Sequence, residues 1–170
     1  PDRDGPTGRI KFGTESNGGF RNITISNVVF DRSRGLALET VDGALLEDVT
    51  ISNIAMREVS NAPFFLRLGS RMRGPGGVPV GELRRISISN VTVYDADPRY
   101  ASIISGIPGH PVEDVTLSDI RIYYRGGLSM EQVAAQPAEL VNSFFFREGM
   151  PPPGPLATPE REDHEPEPRM

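Results

Sequence analysis

Four stretches of the chain repeat one pattern of apolar and polar positions. Segments 20–30, 46–56, 83–93 and 112–122 align without gaps. In each, two aliphatics flank a small polar residue: Ile23/Ile25 around Thr24, Val49/Ile51 around Thr50, Ile86/Ile88 around Ser87, Val115/Leu117 around Thr116. Alternation with a period of two, rich in β-branched residues, predicts strands. Asn27, Asn53, Asn90 and Asp119 follow at one fixed position, and the apolar phase then slips by one to Val28, Ile54, Val91 and Ile120. A bend is expected there, because Asn and Asp tolerate the left-handed backbone that a corner needs.

A second, shorter apolar run accompanies each unit: Arg9–Thr14, Gly35–Thr40, Pro63–Leu68 and Tyr100–Ser105. Gly- and Pro-bearing turns separate the runs, and no segment of the body reads as a helix. Neither run can bury its apolar face alone, whereas stacked copies would place equivalent aliphatics in columns. The repeats step by 26, 37 and 29 residues. That spacing predicts an all-β fold, a parallel β-solenoid of four to five coils. A leucine-rich repeat is the rival, but its Leu-x-x-Leu-x-Leu-x-x-Asn spacing is not met, since one residue separates Ile25 from Asn27.

Charge at the start of each repeat agrees with stacking. Arg21-Asn22, Glu47-Asp48, Arg84-Arg85 and Glu113-Asp114 alternate in sign along the series. On parallel strands about 4.8 Å apart, such neighbours attract. Glu47-Asp48 and Glu113-Asp114 could also be read as catalytic carboxylate pairs, but the ladder accounts for them more simply.

Composition narrows the chemistry. The 170 residues include 18 Gly and 16 Pro but no Cys, which removes disulfides, thiolate metal sites and a Cys nucleophile. Only His110 and His164 are histidines, so a His-rich metal site is excluded and no metal or cofactor is expected. A net charge of −5 with no basic patch argues against nucleic acid, and no apolar run is long enough for a membrane span. The body to residue 128 is neutral, while 129–170 carries three basic and eight acidic side chains and half of the prolines. We therefore expect a linker or truncated start over 1–6, coils over 7–127 and an irregular, Pro-rich acidic tail over 128–170.

Gly8-Arg9-Ile10-Lys11-Phe12-Gly13-Thr14-Glu15, the pair Gly18-Gly19, the repeat through Asn27 and then Arg34–Thr40 resemble the polygalacturonase-type glycoside hydrolases of family 28. These are pectin-lyase-like right-handed β-helices, and the resemblance covers roughly residues 7–127. It implies a secreted or periplasmic protein acting on a polysaccharide or oligosaccharide by inverting hydrolysis. One carboxylic acid would protonate the leaving oxygen and another, about 6.5–9.5 Å away, would activate water. The family's Asn-Thr-Asp, Asp-Asp and Gly-His-Gly motifs do not occur, and Gly8 stands where the His would be. The resemblance thus implies the C-terminal part of such an enzyme, cut at both ends. The acid and base would lie upstream, the catalytic residues outside the chain, and this piece would be inactive by itself.

The substrate-binding candidates are Arg9, Lys11, Glu15, Glu39 and Asp42. Lys11 is the only Lys, and strand alternation turns it outward with Arg9, where an ammonium could reach a sugar hydroxyl or carboxylate. Glu15 follows the Gly13-Thr14 corner and could equally cap a turn. In the resemblance, Ala37-Leu38-Glu39 occupies the place of an Arg-Ile-Lys motif that grips the sugar carboxylate. An acidic residue there points to a neutral sugar or a modified pectin unit rather than plain galacturonate. Arg67 and Arg71 flank the long insertion Gly69–Gly81, which reads as a cleft wall or as a mobile edge loop. Arg9 with Arg67 could clamp an anionic sugar. His110, in a Pro-Gly turn, reads as unremarkable, and the glycosylation sequons at Asn22 and Asn90 are explained by strand usage. A non-catalytic carbohydrate-binding or structural β-helix and a polysaccharide lyase remain the alternatives.

Overall fold

The computed structural model describes residues 9–126, together with Ser129 and Glu131. The expected tail and the first eight residues lie outside the described residues, apart from those two positions. Eight strands alternate between short and long: β1 (Lys11–Phe12), β2 (Phe20–Asp31), β3 (Leu36–Thr40), β4 (Leu45–Arg57), β5 (Phe64–Leu68), β6 (Glu82–Ala96), β7 (Ile103–Ser105) and β8 (Glu113–Tyr124). The short strands form one parallel sheet in the order β1-β3-β5-β7, and the long ones another in the order β2-β4-β6-β8. The fold is therefore all-β, with the chain passing from one sheet to the other at every connection.

The columns expected from the repeat are formed. Ile25 pairs with Ile51, Ile51 with Ile88 and Ile88 with Leu117. Leu36, Leu38, Phe64, Leu66 and Leu68 of the short sheet pack with Leu46, Val49, Ile51, Ile54 and Met56 of β4 and their equivalents on β6 in one core between the sheets. The outermost long strands are less covered. Ile23, Ile25, Val28 and Phe30 at one end, and Val115, Ile120 and Ile122 at the other, are only partly buried. Leu117 sits in its column as expected but is 41% exposed, because among the described residues no further strand covers β8.

Each long strand turns corners at regular intervals. The expected bend is present, with Asn27, Asn53, Asn90 and Asp119 at φ 59°, 56°, 50° and 51°. Two further left-handed rows flank it: Asn22, Asp48, Arg85 and Asp114 five residues before, and Arg32, Glu58 and Asp95 five residues after. Every corner resets the alternation, so the inward positions run 46, 49, 51, 54, 56 and 59 in the second coil, all buried. At the middle corner the side chains bond along the stack: Asn90 Nδ2 donates to Asn53 Oδ1 at 2.8 Å, and Asn53 Nδ2 to Asn27 Oδ1 at 3.0 Å.

The charge row also forms as expected. Arg21 and Arg84 lie 3.1 and 2.9 Å from Glu47, Arg85 lies 2.7 Å from Asp48 and also contacts Glu47, and the register sets Glu113 opposite Arg84. Hydrogen bonds from Arg84 and Arg85 hold the Glu47 carboxyl below its usual range, and those from Arg85 do the same for Asp48. These carboxylates are committed to structure.

Candidate functional site

The charged candidates gather at the short-strand sheet in two clusters. The first centres on Glu39 of β3, which is 1% exposed. Its Oε1 lies 3.2 Å from Lys11 Nζ and 3.6 Å from Arg9 Nη2. Lys11 belongs to β1, the neighbouring strand, and its Cα partner is Ala37, two residues before Glu39. Gly13 makes this approach feasible. Its φ is +84°, and a Cβ there would stand 2.1 Å from the Glu39 carbonyl oxygen. Lys11 is exposed on the outer face of the short sheet, as expected, and Glu39 lies on that same face, so Lys11 and Arg9 supply the compensating charge that a buried carboxylate needs. The Lys11 side chain remains 33% exposed. Glu39 Oε2 is buried and accepts no hydrogen bond among the described residues.

The second cluster centres on Asp42, just past β3 and 3% exposed. Arg71 grips it with both prongs, Nε donating to Oδ1 at 3.1 Å and Nη2 to Oδ2. The Arg73 backbone N–H adds a third bond to Oδ1 at 3.0 Å. Burial alone would raise the Asp42 pKa, but the Arg71 bonds, the Arg73 N–H and the charges of both arginines together hold the carboxyl below its usual range. The bond to Asp42 likewise outweighs burial for Arg71 and raises its pKa. Glu15, largely exposed, approaches Arg71 Nη2 at 3.8 Å. The 69–81 insertion is pinned at its start rather than free at the edge. Gly69 N donates to Thr40 O at 2.9 Å, and Arg71 N to Val41 O at 2.8 Å. Beyond this anchor, Asp42, Met72 and residues 74–78 line a recess of about 150 Å³.

Arg67 of β5 is opposite Glu39 in register and Ser105 of β7 on its other side. It does not form the solvent-facing clamp with Arg9 that its sequence position suggested. The residue is fully buried, and Nη1 donates to Ser105 Oγ at 2.6 Å and to Gly106 O at 3.2 Å. Burial lowers its pKa. Ser105 carries no sequence signal for this role, and Arg71 was noted only as flanking the loop, although it is the principal partner of Asp42. His110 closes a turn with Ile107 through backbone bonds of 3.0 and 2.9 Å. Of the two sequon asparagines, Asn90 has its amide nitrogen engaged in the corner ladder.

The five residues expected to bind substrate thus resolve into Arg9–Lys11–Glu39 and Glu15–Arg71–Asp42. Arg9, Lys11 and Arg71 meet three carboxylates, and the Arg73 charge acts on Asp42, in a chain that is acidic as a whole. The Glu39 charge is offset by Arg9 and Lys11. Asp42, triply hydrogen-bonded and held ionised, is unsuited to donate a proton near neutrality.

Compared with protein-family models, curated proteins and solved structures, the chain matches none of them.

Proposed function

We propose that the two sheets are walls of a right-handed parallel β-helix belonging to a polysaccharide-degrading glycoside hydrolase, and that the charged margin of the short-strand sheet binds the sugar. Several features support the solenoid reading: strict alternation of strands between two parallel sheets, one register through four coils, and left-handed corners at fixed positions. The resemblance of the repeat to polygalacturonase-type enzymes supports the substrate class. An extracellular or periplasmic location follows from a polymeric pectic substrate.

The observation that carries the binding role is Glu39. Buried at the sheet margin, its carboxylate holds Lys11 Nζ 3.2 Å from Oε1, and the Lys11 side chain, 33% exposed, presents an ammonium to an anionic group. A sugar acid offers that group. We assign no acid–base pair among the described residues, so the chain itself is expected to bind without hydrolysing.

Titration of the 170-residue chain with trigalacturonate, followed by NMR and calorimetry, tests this. The expected result is salt-sensitive binding that weakens about tenfold in Lys11→Met, the loss of one charge-assisted contact. A neutral galactose oligomer should bind more weakly, and no reducing ends should appear. Absence of binding, or binding indifferent to Lys11→Met, would refute the site; release of reducing sugar would refute the assignment of no catalytic pair.

A further inference from the structure

We propose that the recess beside Asp42 holds the methyl ester of a uronic acid, on the sugar next to the one whose carboxylate meets Lys11. The site would then prefer a partly esterified chain to a fully acidic one. The inference rests on the carbohydrate reading and adds to it the form of the substrate.

The two clusters lie close together but differ in chemistry. Glu39 and Asp42 are three residues apart in the chain, and the charges of both act on Arg71. At the first cluster, Lys11 presents an ammonium on a side chain that is 33% exposed. At the second, the one ionised side chain lining the recess is Asp42, and its oxygens already accept from Arg71 Nε, Arg71 Nη2 and the Arg73 backbone N–H. The other walls are Met72, Pro75, Val78 and glycine backbone, and none of the lining residues is basic. Arg71 is paired with Asp42, and Arg73, whose charge also acts on Asp42, does not line the recess.

A carboxylate entering this space would lose water and face Asp42 with no cation in the walls to receive it. A methyl ester carries no charge, and its methyl group can lie against Met72, Pro75 or Val78. The volume, about 150 Å³, holds such a group with room to spare.

The recess is also built into the fold. On one side, Arg71 N donates to Val41 O at 2.8 Å; on the other, Glu82 N donates to Ala44 O at 3.2 Å. Between these anchors Val78 is laid against Gly43, where a Cβ would stand 2.3 Å from Val78 Cγ1. Gly74 is laid against Asn17, where a Cβ would stand 2.7 Å from Nδ2. Gly76 differs from both. Its φ is not positive, and a Cβ there would meet nothing within 4 Å. Neither a left-handed backbone nor a close approach accounts for its missing side chain, whereas keeping the recess open does.

Calorimetric titration of the 170-residue chain tests this by comparing trigalacturonate with the same trimer methyl-esterified at its middle residue. The esterified trimer should bind at least about fourfold more tightly, the gain from burying one methyl group. Gly76→Leu fills the open space, and Val78→Ser removes an apolar wall. Each should lower that ratio to below about two, with the circular dichroism spectrum unchanged. Lys11→Met should weaken both trimers and leave the ratio in place. If neither trimer binds, the carbohydrate reading falls and this inference falls with it. If trigalacturonate binds but the ester binds no more tightly, or if the preference survives in both Gly76→Leu and Val78→Ser, the inference alone is overturned. If Val78→Ser unfolds, Gly76→Leu decides.

Discussion

Ile51 and Leu117 occupy the same column, yet their truncation should have different consequences. Ile51 is fully buried between Ile25 and Ile88, while Leu117 ends the column 41% exposed. Ile51→Ala removes three buried carbon groups at about 0.8 kcal/mol each, or ~2.4 kcal/mol of transfer free energy. The strands on either side, β2 and β6, are tied by ladder bonds and cannot close the gap, so a cavity term of about 1 kcal/mol is added. The sum, about 3.5 kcal/mol, is a large share of the ~5–15 kcal/mol that holds a domain together. Leu117→Ala loses a smaller buried area and leaves no enclosed void, so about 1 kcal/mol is expected. Urea unfolding monitored by circular dichroism measures both. Costs that agree within ~0.5 kcal/mol, or an Ile51→Ala cost under 1 kcal/mol, would refute the columnar core.

Two further predictions concern the corners and the ion pairs. Asn53→Gly keeps the left-handed backbone and deletes two ladder bonds, an expected loss of about 1 kcal/mol; Asn53→Ala adds the backbone penalty and should cost about 1 kcal/mol more, as read from denaturation midpoints. Asp42 has a lowered carboxyl pKa in the fold, so its contribution is fully present above the ordinary carboxylate pKa of about 4 and fades as the pH falls through the folded value. Stability should therefore be flat near neutrality and drop in acid, with a shallower acid slope in Asp42→Asn, although that variant also loses about 2 kcal/mol or more at neutral pH by stranding Arg71. An unchanged acid slope in Asp42→Asn would contradict the assignment.

The strand rhythm was legible because burial on one face enforces a period of two, and the repeat exposes that period four times. The middle corner was legible for a similar reason: Asn and Asp recur there, and both tolerate the left-handed region. The flanking corners were less visible. Arg32, Glu58 and Arg85 adopt the same backbone without any residue preference to announce it. At the charged margin, the sequence singled out Glu39 and Asp42 but not the partners that surround them. Strand alternation put Lys11 and Arg9 on the outer face, where Lys11 is found, but it does not show which residue of the next coil they meet there, and both reach Glu39. Nor could it pair Asp42 with Arg71, 29 residues apart, since the connection depends on how the insertion is pinned to Thr40 and Val41.

The most direct test of the stacked coils uses the absence of native Cys, which makes any introduced pair unique. Thr24 and Thr50, 26 residues apart in the chain, are exposed partners on adjacent strands; Thr116 lies two strands beyond Thr50. Spin labels at Thr24 and Thr50 should sit about 5 Å apart in backbone terms and broaden each other's spectra strongly, while labels at Thr24 and Thr116, about 14 Å apart, should do so only weakly. Strong coupling in the first pair and weak coupling in the second is the predicted result; spectra without coupling at Thr24 and Thr50 would contradict the stack.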